Sequence, residues 1–241
     1  MTTAIILSAG KGLRLRPLTE LIPKCFVMVC GKPIVQWEIE HLKQHGFDDI
    51  YVVVSEDYYE SLGSMREFYG ARILYQPSPK GTLSTLKYAL QKVKVKGDFL
   101  LVQNGDIISD VNLSVHFKAF KEMYYRNHEV TCGIIVKKLK TKYGIVEYTG
   151  TCAGHVTAFY EKPELPYYIN AGYYFFTKDI IDIVREYPSE GDLERSLLPS
   201  LAREMRMIAI RADYNYWFAI DTFKDVIEAS KYLMKLREKE K

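Results

Sequence analysis

Apolar residues along the first half of the chain follow two alternating patterns. Short, continuous apolar runs are typical of strands buried on both faces of a parallel sheet, and these runs lie at residues 4–7, 50–54, 73–75 and 99–102. Apolar positions at helical spacing separate them, at residues 33–45, 57–69 and 82–93. This alternation predicts an α/β fold in which helices cover both faces of a mainly parallel sheet.

The pattern changes after Asp110. A helix is predicted at residues 113–125, and strands at hairpin-like spacing are predicted at 130–136, 144–148, 156–160 and 168–176. Helices at 180–185 and 193–204, a strand at 207–210 and a charged terminal helix at 223–241 complete the chain. We interpret this part as an α+β extension whose strands partly join the first sheet. No repeat or linker divides the sequence, so we expect one domain, 1–241, with halves at 1–110 and 111–241.

Composition excludes several classes of function. The chain has 241 residues and a net charge of +3, from 33 basic and 30 acidic residues, so we expect neither a nucleic-acid nor a membrane partner. The four cysteines form no CxxC pair, which favours reduced thiols in or near the core. No apolar run approaches the roughly 20 residues of a membrane span, and the first run is too short for a signal peptide. We therefore expect a cytoplasmic protein.

The segment after the first strand has the composition of a phosphate-binding turn. The small residues Ser8 to Gly12 let backbone N–H groups approach phosphate oxygens, and the nearby Arg14 can neutralise their charge. Two common nucleotide motifs do not fit. Leu15 takes the third glycine position of a dinucleotide fingerprint, and the spacing of a P-loop is absent.

Polar residues also follow two later strands. Gln76 ends one strand, and Asn104-Gly105-Asp106 ends another. Because open α/β sheets bind ligands at the carboxyl ends of their strands, these residues are candidates for the same site. Asp106 is suited to bind Mg²⁺, whereas Asp110 is a weaker candidate and is better interpreted as part of a helix N-cap.

The opening motif resembles that of the nucleotidyltransferases that join an NTP to a sugar 1-phosphate. It consists of SAGKGLRLRPLT at residues 8–19, then Pro23-Lys24 and Gly31-Lys32-Pro33, with Leu13 in place of the usual threonine. The resemblance implies the Rossmann-like nucleotidyltransferase fold, with a mixed, mainly parallel sheet and a sugar-binding extension. It also implies catalytic roles for Arg14, which would hold the triphosphate, and for Lys24, near the α-phosphate.

A second motif, QPSPKGT at residues 76–82, looks like the base-reading segment of glucose-1-phosphate thymidylyltransferases. The Gln76 amide can pair with a pyrimidine edge, and Gly81 would let the backbone approach the base. The alternative is a proline-rich surface loop that caps the next helix through Thr82. The nucleotide-binding residues implied by the family are Leu7, Ser8, Ala9, Gly10, Lys11, Gly12, Gln76, Gly81 and Thr82.

The family resemblance makes Asp106 one metal ligand and leaves its partner less obvious. The usual aspartate near the end of the chain is Ala219 here, while Asp221 stands two residues later. Alternate strand residues share a face, so Asp221 is our second candidate ligand of a Mg²⁺ cofactor. The alternative is that Asp221 caps the terminal helix. The ending Ile220-Asp221-Thr222 resembles that of CTP-using relatives.

The second half carries segments that resemble the sugar-phosphate side of the family. The implied ligands of the sugar phosphate are Asn104, Gly144, Glu161, Lys162 and Asn170. Hydrogen-bonding groups and a cation suit a hexose phosphate better than phosphocholine, whose quaternary ammonium prefers an aromatic cage.

We therefore predict a Mg²⁺-dependent enzyme that uses an NTP and a sugar 1-phosphate as substrates. Gln76 favours dTTP or UTP, whereas the ending favours CTP, and the short chain is also similar to GTP-using mannose or heptose 1-phosphate guanylyltransferases. From another class, a non-catalytic nucleotide-sugar-binding homologue is opposed by the presence of Arg14, Lys24, Asp106 and Lys162. The sequence leaves the base, the sugar and the oligomeric state open, with a homo-oligomer among the options.

Overall fold

A computed structural model of the chain describes residues 2–239. The strands are β1 (Thr3–Ser8), β2 (Met28–Val29), β3 (Lys32–Pro33), β4 (Asp49–Ser55), β5 (Glu67–Phe68), β6 (Ala71–Gln76), β7 (Phe99–Asn104), β8 (Ile107–Ser109), β9 (Cys132–Lys140), β10 (Ile145–Tyr148), β11 (Val156–Tyr160), β12 (Glu164–Thr177), β13 (Met207–Arg211) and β14 (Trp217–Ala219). The helices are α1 (Ile34–Gln44), α2 (Thr82–Lys92), α3 (Leu113–Arg126), α4 (Ile180–Glu186), α5 (Leu197–Arg203) and α6 (Phe223–Lys239). The terminal helix was predicted to reach residue 241, but Glu240 and Lys241 lie outside the described residues.

The central sheet has eight strands in the order β13-β9-β12-β7-β1-β4-β6-β5. Strand β12 runs antiparallel to both of its neighbours, and β5 runs antiparallel to β6. The remaining neighbours pair in parallel. The predicted mixed, mainly parallel sheet is confirmed.

Helices cover both faces of this sheet, as predicted. On β1, Ala4 and Ile6 belong to the apolar cluster that includes side chains of α1 and α3. The alternate residues Ile5 and Leu7 belong to the cluster formed with α2, α4 and α5. Since alternate residues of a strand face opposite sides, β1 is buried on both faces.

The second half of the chain extends the central sheet and adds a separate hairpin. Strands β9, β12 and β13 join the central sheet, whereas β10 and β11 form a separate antiparallel hairpin. A further antiparallel pair, β8 and β14, was not predicted. It carries Ile220 to Asp106, with the N–H of Ile220 donating to the Asp106 carbonyl at 2.9 Å. This pairing places residues 217–221 next to the end of β7.

The helix predicted at residues 57–69 is wrong. The segment holds a short 3₁₀ turn at Glu56–Tyr58, irregular turns and the short strand β5. Gly63 and Ser64 have φ angles of 59° and 58°, in the left-handed region that an α-helix does not enter. The apolar residues of this segment pack against the core from a loop. Their spacing in the sequence is the same as that of a helix face, although no α-helix forms.

All four cysteines are free thiols in the part of the chain that the structure describes. Cys25, Cys30 and Cys132 are buried, but Cys152 is exposed between β10 and β11, so the core assignment is wrong for that residue. No helix within residues 2–239 has the length and apolar character needed to span a membrane.

Helix α1 places a carboxyl group in the core next to the candidate site. Glu38 is 2% exposed, and its Oε1 accepts a hydrogen bond from the Ile107 N–H at 3.2 Å. Burial raises the pKa of Glu38 well above its usual value, and the negative charge of Asp106 adds to the effect. Folding therefore favours the protonated form of Glu38 relative to the unfolded chain.

We expect Glu38→Gln to weaken the decline of stability with rising pH. Above the usual carboxyl pKa, folded Glu38 keeps a proton that the unfolded chain releases, so stability falls by up to about 1.4 kcal/mol per pH unit. Glutamine keeps the shape and the acceptor without this proton. Urea unfolding between about pH 5 and 7 should show the variant gaining on the wild type as pH rises. If the stability of Glu38→Gln and of the wild type changed in parallel with pH, the raised pKa of Glu38 would be contradicted. The exposed Glu122→Gln serves as the control.

Candidate active site

The turn after β1 is locked by the second part of its own motif. Gly12 has a φ of 57°, and a Cβ there would lie 2.9 Å from Cγ2 of Thr19. The Thr19 hydroxyl donates to the Gly12 carbonyl at 2.8 Å. Leu15 is fully buried beneath the turn in an apolar cluster with Val27 and Ile220. The leucine that breaks the dinucleotide fingerprint is therefore a core residue that anchors the turn.

The end of β7 lies directly against the end of β1. The Gly105 N–H donates to the Leu7 carbonyl at 2.9 Å. A Cβ on Gly105 would lie only 2.6 Å from Cβ of Ser8, so glycine permits this close approach. Asn104 and Asp106 are thereby held beside the turn at residues 8–12, as the strand-end argument predicted.

Two carboxylates and two cations meet at this point. Lys24 Nζ donates to Asp106 Oδ2 at 2.6 Å and to Asp221 Oδ1 at 2.7 Å. A guanidinium nitrogen of Arg14 lies 2.8 Å from the same oxygen of Asp221. Burial would lower the pKa of Lys24, but the two carboxylates outweigh this and raise it above its usual value. Lys24 is therefore a charged ammonium at neutral pH.

The structure separates the two interpretations of Asp221. Helix α6 is capped by Thr222 and Asp225, since Asp225 Oδ2 accepts from the Thr222 N–H at 2.7 Å and the Thr222 hydroxyl accepts from the Asp225 N–H at 3.3 Å. The Asp221 carboxylate instead faces Lys24. The alternative that Asp221 caps the terminal helix is therefore wrong.

Asp110 takes no part in this cluster. Its carboxylate accepts from the backbone N–H groups of Asn215 and Tyr216, at 2.9 and 3.0 Å. The side chain of Asn112 caps α3, accepting from the Val115 N–H at 3.2 Å. The expectation that Asp110 belongs to a helix cap is wrong, because it holds the loop before β14.

The cluster fits a divalent cation that prefers oxygen ligands. One oxygen from each of Asp106 and Asp221 converges on the Lys24 ammonium, so both already face one cation. Oδ1 of Asn104 is buried at the same strand end with no hydrogen-bond partner among the described residues. Within residues 2–239 no group of three or more His, Cys, Asp or Glu side chains is placed to hold a metal. Mg²⁺ commonly uses one or two carboxylates together with substrate phosphates, so this donor set suits it.

These residues line one cleft of about 460 Å³. Its walls and floor are formed by Leu7, Ser8, Gly10, Gly12, Leu13, Arg14, Lys24, Thr82, Asn104, Gly105, Asp106 and Asp221. A second cavity of about 320 Å³ adjoins it and shares Leu7, Gly10 and Thr82. Ala9, Lys11 and Gly81 line that second cavity. The structure thus brings together the turn predicted to bind phosphate, both candidate metal ligands and most of the predicted nucleotide-binding residues.

Gln76 is placed differently. Its side chain is 4% exposed, and Nε2 donates to the Ser84 hydroxyl at 2.9 Å. Oε1 is buried without a hydrogen-bond partner among the described residues, and Gln76 lines neither cavity. Pairing with a base would require the side chain to leave Ser84, so the role of Gln76 as the base reader stays a prediction.

Of the predicted sugar ligands, Asn104 lines the cleft, and the four from the second half of the chain do not. Glu161 and Lys162 form an exposed ion pair at 3.2 Å after β11, close to Gly144 and Phe159. Asn170 donates through Nδ2 to the Tyr174 hydroxyl at 2.6 Å. None of the four predicted ligands from the second half lines the cavities described above. Their contact with a sugar phosphate stays a prediction.

Sequence reasoning missed the loop between α4 and α5. Glu194 in this loop accepts from the Thr82 hydroxyl at 2.9 Å and from the Tyr174 hydroxyl at 3.0 Å, which links α2 to β12. Asp192 lines the second cavity. The local signal was only a Gly191-Asp192 turn, because the position of this loop depends on distant parts of the fold.

Comparison with known proteins agrees with this geometry. Residues 3–235 match the nucleotidyl transferase family. Mannose-1-phosphate guanylyltransferase catalytic subunit beta of Xenopus tropicalis is 31% identical over 248 residues, which cover 98% of this chain and 66% of the relative. Mannose-1-phosphate guanyltransferase of Candida albicans is 29% identical over 247 residues, with the same coverage. The chain thus spans slightly less than two thirds of the length of these relatives.

Solved structures share the fold. A putative glucose-1-phosphate thymidylyltransferase from Bacillus anthracis superimposes with a TM-score of 0.70 at 17% identity, covering 96% of this chain and 95% of its own. An apo UDP-glucose pyrophosphorylase gives 0.71 at 18% identity, covering 98% and 99%. The resemblance inferred from the motifs is confirmed, and the chain belongs to the nucleotidyl transferase family.

Proposed function

We propose that the chain transfers a guanylyl group from GTP to a hexose 1-phosphate, with mannose 1-phosphate as the favoured acceptor, and releases pyrophosphate. The observation that carries the reaction type is the convergence of Lys24, Asp106 and Asp221 at the floor of the cleft. The names of the sequence relatives support GTP and mannose 1-phosphate. The prediction of dTTP or UTP depended on Gln76, whose amide donates to Ser84. We therefore propose GTP as the nucleotide instead.

The reaction is an in-line attack by a phosphate oxygen of the sugar on the α-phosphorus of the NTP. The new P–O bond forms as the bond to the pyrophosphate oxygen breaks, and negative charge grows on the leaving group. Bringing two anions together and stabilising that charge requires positioning and cations more than covalent chemistry.

The residues of the cleft supply these functions. The turn from Gly10 to Gly12 offers backbone N–H groups to the phosphates, and Arg14 and Lys24 neutralise charge on them. Asp106 and Asp221 would hold Mg²⁺, which when bound supplies further positive charge to the phosphate oxygens. In this proposal the half at residues 1–110 provides most of the nucleotide site.

The half at residues 111–241 would receive the sugar phosphate. Lys162 and Glu161 lie together just after β11, where a cation and a carboxylate suit a phosphate and ring hydroxyls. Gly144 lies beside the Glu161 carboxylate, and a Cβ there would overlap the ring of Phe159. Asn170 lies on β12, which runs back towards the central sheet.

A panel of substrates tests this proposal. Each of the common NTPs is combined with mannose, glucose and other hexose 1-phosphates, and pyrophosphate release is measured with Mg²⁺. We expect GTP with mannose 1-phosphate to give the highest kcat/KM, and the Asp106→Asn variant controls for contaminating activity. Exclusive use of UTP or dTTP would refute the assigned base. Binding of a GDP-sugar without pyrophosphate release from any pair would refute the enzymatic assignment.

A further inference from the structure

The second cavity is a separate chamber on the α2 side of the phosphate turn. It is lined by Leu7, Ala9, Gly10, Lys11, Pro79, Gly81, Thr82, Thr85 and Asp192. Because it shares Leu7, Gly10 and Thr82 with the cleft, a nucleotide whose phosphates lie in the cleft would direct its base here. The groups that line this chamber therefore decide which base is accepted.

Both threonine hydroxyls of the chamber already make hydrogen bonds within the protein. The Thr85 hydroxyl donates to the Gly81 carbonyl at 3.1 Å. The Thr82 hydroxyl donates to Glu194 and accepts from the Leu193 N–H, both at 2.9 Å. The carboxylate of Asp192 is different, since it is 39% exposed and its nearest ion-pair partner, Arg195 Nε, lies 3.6 Å away. It is an acceptor available to a ligand.

Backbone contacts fix Asp192 in this position. The Gly191 carbonyl accepts from the Leu83 N–H at 3.0 Å, and the Gly191 N–H donates to the Lys80 carbonyl at 2.8 Å. Gly81 makes this approach feasible, because a Cβ there would overlap the Gly191 carbonyl and lie 2.6 Å from Asp192 Oδ1. The glycine expected to admit the base instead admits the loop that carries Asp192.

A carboxylate at this place discriminates strongly between bases. Guanine presents two adjacent donors, N1–H and the N2 amino group, which match the two oxygens of a carboxylate in charge-assisted hydrogen bonds. Uracil and thymine present one N–H between two carbonyl oxygens, and these oxygens would repel a carboxylate. The chamber therefore favours guanine over uracil and thymine, the bases of UTP and dTTP.

We propose that Asp192 is the residue that selects guanine, by accepting hydrogen bonds from N1–H and the N2 amino group. The inference depends on the proposed GTP-dependent function and adds its specificity determinant. Asp192 caps no helix through its side chain, so its substitution removes a ligand contact without removing a structural hydrogen bond.

Kinetics of Asp192→Asn with GTP, inosine triphosphate and UTP test this assignment. Inosine triphosphate lacks only the N2 amino group, so the wild type should prefer GTP over it by roughly 10- to 100-fold, and the variant should lose most of that preference. The loss should appear mainly in KM, since the base is remote from the reacting atoms. The matched control is Glu190→Gln in the same loop, whose carboxylate pairs with Lys80.

The outcomes separate the two proposals. An unchanged ratio of GTP to inosine triphosphate in a folded Asp192→Asn protein, checked by its thermal midpoint, would overturn the role of Asp192 and leave GTP use intact. A wild-type enzyme that uses UTP or dTTP and rejects GTP would overturn the proposed function itself.

Discussion

Lys24→Met is expected to lower kcat/KM by roughly 10²- to 10³-fold, the range seen when one preorganised charge-stabilising group is removed. Its ammonium bonds Asp106 at 2.6 Å and Asp221 at 2.7 Å, and in the reaction it would face the α-phosphate. Methionine keeps most of the side-chain volume but removes the charge. Initial rates with GTP and mannose 1-phosphate measure the effect.

The same variant should couple stability to metal. Without the positive charge of Lys24, the negative charges of Asp106 and Asp221 repel each other. The thermal midpoint should therefore fall in metal-free buffer. Added Mg²⁺ should restore much of the loss, because a ligand that binds only the folded state stabilises it. The control is Lys118→Met, on the exposed surface of α3. Near-normal turnover in Lys24→Met would contradict its catalytic role.

Asp106→Asn and Asp221→Asn should each reduce turnover by about 10²-fold or more at limiting Mg²⁺, because each removes a negatively charged metal ligand. Higher Mg²⁺ should rescue part of the activity if one carboxylate remains. The fold should be retained, since both side chains lie at the cleft surface, 25% and 30% exposed. Rates measured across a Mg²⁺ titration test this.

Asp225→Asn provides the matched control for Asp221. Asp225 belongs to the cap of α6, so its substitution should cost about 1 kcal/mol of stability with little change in the Mg²⁺ dependence. Asp221→Asn should show the reverse pattern. Equal effects of the two substitutions on both quantities would mean that Asp221 acts through the helix after all.

The parts of the fold that sequence predicted well are those with a strong local pattern. Strands β1, β4 and β7 are apolar on both faces, which only a buried sheet tolerates. Helices α1 and α2 each carry a regular buried apolar stripe and end at Gln44 and Lys92. The failure at residues 57–69 has the opposite cause. There Gly63 and Ser64 in left-handed conformations override a weak helical pattern.

The residues of the candidate site also fall into those predictable from a local pattern and those that are not. Arg14, Lys24 and Asp106 lie in motifs or at strand ends, so their convergence could be anticipated. Asp192 could not be found, because the packing of Gly191 against Gly81 brings it to the chamber from more than 100 residues away. The direction of the Gln76 side chain also depends on tertiary structure, since its amide donates a hydrogen bond to Ser84 on α2.

The most direct test of the account is a Mn²⁺ titration followed by electron paramagnetic resonance, with Mn²⁺ as a spectroscopic substitute for Mg²⁺ at oxygen ligands. The wild type with GTP should bind a single Mn²⁺ per chain at the cleft. Binding should be weakened in both Asp106→Asn and Asp221→Asn and unchanged in Asp225→Asn. Mn²⁺ binding that is unaffected by either cleft substitution would contradict the assignment of Asp106 and Asp221 as the metal site of a nucleotidyl transfer reaction.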